Sequence, residues 1–416
     1  MKAMLLILSI FFASTLSACK PLIKQMAALS GPVRISAPEA DGAEPAVANA
    51  PDGNVYVAWI NHSAKSQADV MFARLGSDGA MQGSGMRVNP KAGTATAWRG
   101  DPPTIAVAPD QTIFIGWIAR VESGSGHATD IYISASRDQG RTFTDPVKVN
   151  DDKNPADHGM HSLAIGQDGR IYVAWLDERN VPPMPAMDMN TNQGAGGHRM
   201  ETNREVFVSY STDGGRTFST NKRVAANVCP CCKTSLAIAP DGRVYLGWRQ
   251  VLPGEFRHIA VASSTDQGQT FSEPKIVGDD QWMIAGCPVS GSSMTVLTDG
   301  TLRVLWYSAG KNGETGIYSS DSKDGGKTFA ARNLVSKGET RGTPVLLSAT
   351  SGTIAVWEGD ENILTAALRQ TPSEAYRISK GELPAAVQTS ASLLAAYVGK
   401  VDEHRAIYVI TVNRPN

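Results

Sequence analysis

One hairpin signature recurs along the chain and constrains its fold more than any other feature. Pro51-Asp52-Gly53 is followed by "NVYVAW", ending at Trp59, and the motif returns ending at Trp117, Trp175, Trp248 and Trp306, with a shortened copy, "TSGTIAVW", ending at Trp357. Six of the eight tryptophans therefore occupy one position. Asp-Gly supplies a tight turn with φ > 0, and the alternating aromatic and β-branched run after it is a strand. A unit repeated in this way cannot bury its apolar face alone and must stack on its neighbours. The 40 glycines and 23 prolines among 416 residues add many turns, which points to an all-β chain.

A second motif follows four of the copies: "SRDQGRTF" at 136–143, "STDGGRTF" at 211–218, "STDQGQTF" at 264–271 and "SKDGGKTF" at 322–329. Its Ser and Asp side chains suit backbone amides inside a tight turn, its Gly takes a positive φ, and its Phe packs beneath. "GSDG" around residue 77 reads as a decayed fifth copy. The pattern S-x-D-x-G-x-T-F resembles the Asp box of bacterial sialidases and related β-propellers, and the likeness in motif type covers nearly the whole chain beyond its N-terminus. A short β-run precedes each hairpin ("TIAVA" at 104–108, "SLAIA" at 235–239) and another follows each Asp box ("VKVN" at 147–150), so each unit holds four strands. The expected fold is an all-β, sialidase-like β-propeller of four-stranded blades. Units begin near Glu44, Asp101, Gly159, Lys233, Pro288, Gly342 and Leu383, which counts seven. Six, the number in sialidases, is the alternative if the weak units after Arg341 are one blade. The last unit ends at "AIYVITV" without a fourth strand, and "PVRIS" at 32–36 reads as the orphan that closes the ring.

The N-terminus has a cation at Lys2, an apolar run from Met4 to Ala13, and then Leu16-Ser17-Ala18-Cys19. This is a secretory signal whose apolar run is too short to span a bilayer. Its ending resembles the bacterial lipobox, which implies cleavage before Cys19 and lipidation of that thiol; an ordinary signal in which Cys19 falls by chance is the alternative. Lys20, where the lipoprotein family's inner-membrane retention signal has Asp, implies attachment to an outer membrane, facing periplasm or exterior. The expected organisation is a signal peptide at 1–18, a lipidated linker at 19–31 and one propeller domain at 32–416. A formal net charge of −1 gives no polyanion signal, so nucleic acid is not an expected partner.

In a four-stranded antiparallel blade the hairpins and the Asp boxes share one end. Connections from strand 2 to 3, and from blade to blade, open on the other. "VCPCC" enters the fourth unit there, "AGCPVSG" the fifth and "DHGMH" the third, bringing Cys229, Cys231, Cys232, Cys287, His158, Met160 and His161 to one channel mouth. Two readings stay open. The secretory compartment permits disulfides, and a link from the 229–232 cluster to Cys287 suits the geometry better than one between the neighbours Cys231 and Cys232. Alternatively, thiolate, thioether and imidazole together fit Cu(I), while structural zinc ranks lower because Cys-x-Cys-Cys is not read as the zinc-ribbon spacing. From motif Trp to Asp-box Ser the chain runs 16 residues in repeats four and five, 19 in repeat two and 36 in repeat three. The surplus, within 177–204, carries Met184, Met187, Met189, Met200 and His198 and is read either as a lid or delivery loop or as a loop packed on the rim.

The sialidase resemblance implies a glycoside hydrolase or glycan-binding protein, with three arginines clamping a carboxylate, an Asp acid and a Tyr nucleophile. The corresponding candidates here are Arg99, Arg249 and Arg341, with Asp101 and Tyr307. The family's Arg-Ile-Pro is absent: this chain has only "VRIS", with Arg34 in an expected outer strand. A propeller with disulfide-locked loops that serves as a protein-interaction scaffold is the further alternative.

Overall fold

In the computed structural model the structure describes residues 23–64, 67–96, 100–121, 128–181, 204–284, 286–349, 352–368, 373–390, 392–402 and 404–415. Among these residues all regular structure is β. The strands pair into seven four-stranded antiparallel units. The first runs Asp41–Asn49, Val55–Ala64, Gln67–Leu75, Met86–Arg87, and the third His158–Ile165, Ile171–Asp177, Arg204–Ser211, Lys222–Val228. The last unit combines Glu382–Gln388, Leu393–Val401 and His404–Val412 with Val33–Arg34, which pairs antiparallel with Val409 and Tyr408. Inner strands pack each on the next around the molecule, and Glu382–Gln388 packs back on Asp41–Asn49, closing the ring.

Seven apolar clusters hold the ring, one between each pair of adjacent blades. The six motif tryptophans are all buried in them. Their indole N–H groups need partners there: Trp59, Trp175 and Trp248 donate to the side chain two residues on, Asn61, Asp177 and Gln250, at 2.8, 2.7 and 2.8 Å.

The Asp boxes form the turns expected of them. In the second blade Ser136 Oγ donates to Asp138 Oδ1 (2.8 Å) and accepts from the Gly140 amide (2.8 Å). Asp138 collects the amides of Arg141 and Thr142 and the Thr142 hydroxyl at 3.0, 2.9 and 2.6 Å. Gly140 has φ of 83° and abuts the Phe72 ring of the preceding blade, so a side chain there meets both a conformational and a steric barrier. The 76–79 turn of the first blade occupies the same place with less: the Asp78 carboxylate accepts the Ala80 amide at 3.0 Å.

Candidate functional site

The end opposite these turns is built differently. Where the chain enters an inner strand, six of the seven blades place a residue with positive φ: Glu44 (50°), Gly100 (97°), Met160 (53°), Val289 (46°), Gly342 (74°) and Leu383 (50°). Four of these entrances also slip register, at Ala43/Ala46, Gly159/Ser162, Arg341/Val345 and Glu382/Ala385. A β-branched residue such as Val289 in this region is strained, and such strain collects at functional sites. The seventh entrance, into the fourth blade, carries the cysteines instead. Together the entrances surround a channel cavity of 480 Å³ whose walls include Glu44, Lys233 and Arg341 and the hydroxyl residues Ser162, Ser235 and Ser292.

The cysteines divide into two pairs. Cys231 is joined to Cys287 across the boundary of the fourth and fifth blades, with Cα atoms 6.0 Å apart. Cys229 and Cys232 are free and buried, their sulfurs 3.0 Å apart, and Cys229 Sγ lies 3.8 Å from Cys231 Sγ. With Cys231 directed to Cys287, the remaining pair has Cys-x-x-Cys spacing, which corrects the reading of this stretch as lacking it. Arg257 Nη1 donates to Cys229 Sγ at 3.1 Å. The hydrogen bond from Cys232 pulls the Cys229 thiol below its ordinary value against the opposing effect of burial, helped by Arg257 and Arg249; burial, then the hydrogen bond to Cys229, push Cys232 up. One proton is thus shared unequally between the two sulfurs. Of the expected copper ligands only Met160 joins the sulfurs, in one buried apolar cluster.

His158 and His161 do not join them. His158 Nε2 sits 3.2 Å from Asp152 and 3.3 Å from Asp177, while Nδ1 faces the Thr129 carbonyl. Burial lowers its pKa, but the two carboxylates prevail and hold it up at about 10. An imidazolium has no lone pair for a metal, so His158 is removed from the ligand set. His161, also buried, lies 3.4 Å from Asp101.

The sialidase-like set is likewise not assembled. Arg249 is wholly buried, donates to the carbonyls of Ser290, Arg257 and Tyr307 at 2.9, 3.2 and 3.0 Å, and covers the Trp282 ring; it joins the fourth blade to the fifth and cannot clamp a ligand. The Tyr307 ring packs edge-on against Trp282, and burial raises its hydroxyl above the ordinary value, the reverse of what an activated nucleophile needs. Asp101 is 1% exposed. Burial pushes its carboxyl up, but His161 and Lys233 outweigh that and hold it below the ordinary value, so it has no proton to donate as an acid. Arg341 alone of the described set is exposed at the channel mouth. Arg99, Cys19, and Met184, Met187, Met189, Met200 and His198 lie outside the described residues.

Sequence reasoning passed over Glu44 and Lys233 as site residues, although both stand at blade entrances already counted. Glu44 is buried and its Oε2 meets His62 Nε2 at 2.7 Å. Lys233 lines the channel, and enclosure lowers its ammonium to about 8 despite the attraction of Asp101. The signal available was position: an acidic or basic residue at a strand entrance, where neighbours on the strand are small or hydroxylic.

The architecture is that of a sialidase-like β-propeller. The chain belongs to the BNR repeat-like domain family, whose pattern matches residues 53–343. Solved structures share its fold at low identity. One is a protein of unknown function from Dyadobacter fermentans, with 16% identity, a TM-score of 0.51, and 95% of this chain and 100% of that one covered. A Hadza microbial sialidase has 14% identity, a TM-score of 0.50 and coverage of 86% and 76%. The α-L-arabinanase of Penicillium chrysogenum, solved with arabinobiose, has 12%, 0.50, and 94% and 99%. No curated protein matches the chain in sequence. A sialidase and an arabinanase thus share one fold, and the activity of this chain has to be argued from its own site.

Proposed function

We propose that the protein is an extracytoplasmic, lipid-anchored propeller that binds an acidic saccharide at its channel mouth. The observation that carries this is the meeting of Arg341, Lys233 and Glu44, from the sixth, fourth and first blades, on one 480 Å³ cavity with a hydroxyl-rich wall. A guanidinium offers a planar fork for a carboxylate, and the Lys233 ammonium adds a point charge within the same enclosure. The hydroxyl groups of the wall suit the saccharide's own hydroxyls. Binding is favoured over hydrolysis because Asp101 and Tyr307 are turned into the blades. The Cys231–Cys287 disulfide supports an oxidising compartment, and the lipobox-like ending at Cys19 supports the anchor.

Calorimetric titration with sialylated and uronate-containing oligosaccharides, beside neutral ones of equal length, tests the binding. Acidic saccharides are expected to bind and neutral ones not, and Arg341→Ala is expected to weaken binding by about tenfold or more, the loss of a charge-assisted contact. Equal affinity for neutral sugars, or indifference to Arg341→Ala, refutes the reading. Labelling with radioactive palmitate, lost in Cys19→Ser, tests the anchor.

A further inference from the structure

The cysteines of the fourth blade are not needed for saccharide binding, and their arrangement exceeds what one disulfide requires. Sγ atoms of Cys229, Cys231 and Cys232 all lie within 4.8 Å of one another, and all three residues are buried. Cys287 is outside that triad and is exposed. The only bond that ties up one of the three sulfurs is therefore the one whose far end reaches solvent. We propose that opening the Cys231–Cys287 disulfide creates a three-thiolate site that takes one Cu(I) ion, with Cys287 as its redox gate.

Several observations converge on this assignment. Three sulfurs without a fourth ligand suit Cu(I), which soft thiolates select, whereas structural zinc is almost always four-coordinate. His158 is held by two carboxylates, and neither it nor His161 stands in the cluster with the sulfurs, leaving sulfur as the donor type at the site. Arg257 donates to Cys229 Sγ at 3.1 Å, so a guanidinium already faces the place where the thiolate charge would gather. Met160, Val228, Leu246 and Trp248 pack around the sulfurs and exclude water, which protects Cu(I) from oxidation. The backbone at 229–232 is fixed by the Cys229 amide on the Arg249 carbonyl (2.9 Å) and the Thr234 amide on the Met160 carbonyl (3.1 Å), so the three sulfurs are held in place by blades three and four.

The gate balances as ordinary thiol–disulfide exchange. A dithiol reductant attacks Cys287 Sγ, the exposed sulfur, and Cys231 leaves inward as a thiolate. The second thiol of the reductant then displaces Cys287, which takes up a proton; the reductant becomes a disulfide, and Cys231 holds a proton or the metal. Each thiol that ligates copper passes its proton to water.

Anaerobic competition for Cu(I) against bicinchoninate, with the full chain before and after dithiothreitol treatment and desalting, tests the proposal. The reduced protein is expected to take one Cu(I) per chain, and the untreated protein to bind at least about a hundredfold more weakly, because even outer-shell changes cost about 10–100-fold. Cys232→Ser is expected to abolish tight binding. Cys287→Ser frees Cys231 permanently and is expected to bind Cu(I) without any reductant, which a general loosening of the fold does not predict. X-ray absorption of the loaded protein is expected to give three sulfur neighbours. Binding that ignores the reductant, a Cys287→Ser protein with native tryptophan fluorescence that still fails to bind, or a preference for zinc with four sulfurs each overturns the assignment. Saccharide titration of the same samples reads the channel separately, so failure at either site is recognisable.

Discussion

The two ends of the propeller use the same residue type in opposite ways. At the turn end Asp138, Asp213 and Asp266 are half-buried and Asp324 is exposed, and each bonds to amides within four residues of itself. At the connection end Asp101, Asp177 and Asp280 are buried: Asp101 faces His161 of the next blade, Asp280 faces Trp306 and Arg332 of the fifth blade, and Asp177 faces His158 across its own blade and Arg179 two residues on. A carboxylate satisfied locally needs only its own turn. One satisfied at a distance needs another strand in place, and at Asp101 and Asp280 it needs the next blade as well.

This contrast breaks most visibly at Asp177. It accepts from Trp175 at 2.7 Å and pairs with His158 and Arg179, so Asp177→Ala leaves the buried indole N–H unpaired and takes from His158 one of the two carboxylates that hold it. A loss of about 3–5 kcal/mol in urea unfolding is expected. At the turn end Ser211→Ala strands the Gly215 amide, which it bonds at 3.0 Å, and is expected to cost about 1–3 kcal/mol by the same measurement. If the two losses are equal, the distinction between the ends is not energetic.

The pH dependence separates the ends by direction. His158 is raised from its ordinary value of 6.5 to about 10, so its stabilisation is fully present below about 6.5 and fades as pH rises through 10. Asp138 and Asp266, held at about 2 first by the Thr142 and Thr270 hydroxyls, stabilise above about pH 4 and lose that effect as pH falls through 2. The difference in urea midpoint between the native protein and His158→Gln, followed from about pH 6 to 10.5, is expected to shrink as pH rises through 10. Arg341→Ala is the smallest expected effect on stability, within about 0.5 kcal/mol, because the side chain is exposed. A larger loss there makes Arg341 a structural residue and weakens the saccharide reading.

What could be read from the sequence follows the same division. The Asp-Gly hairpins and Asp boxes are local, so their residues announce themselves in order along the chain, and with them the blade. Bonds across blades do not. Nothing in "CPCC" says that Cys231 rather than Cys229 or Cys232 joins Cys287, since the choice depends on how the fifth blade presents residue 287. The sialidase resemblance offers Arg249 as a clamp, yet the alternation of its strand after Trp248 turns it into the boundary of the fourth and fifth blades. One nonlocal bond did leave a trace: polar residues two positions after Trp59, Trp175 and Trp248 serve the indoles, and Asp177 among them is the anchor of His158.

Val33 and Arg34 complete the last blade by pairing with Val409 and Tyr408, and Lys24 and Gln25 lie parallel to Tyr376 and Arg377 on the blade before it. A nascent chain emerging N-terminus first cannot form these contacts until residues 376–377 and 408–409 have been made. The ring then resembles a clasp whose hook is made long before its eye. Pulling on the N-terminal side of this segment in a force-extension experiment would load those few pairings before any other strand, so mechanical opening should begin at the seam that closes last.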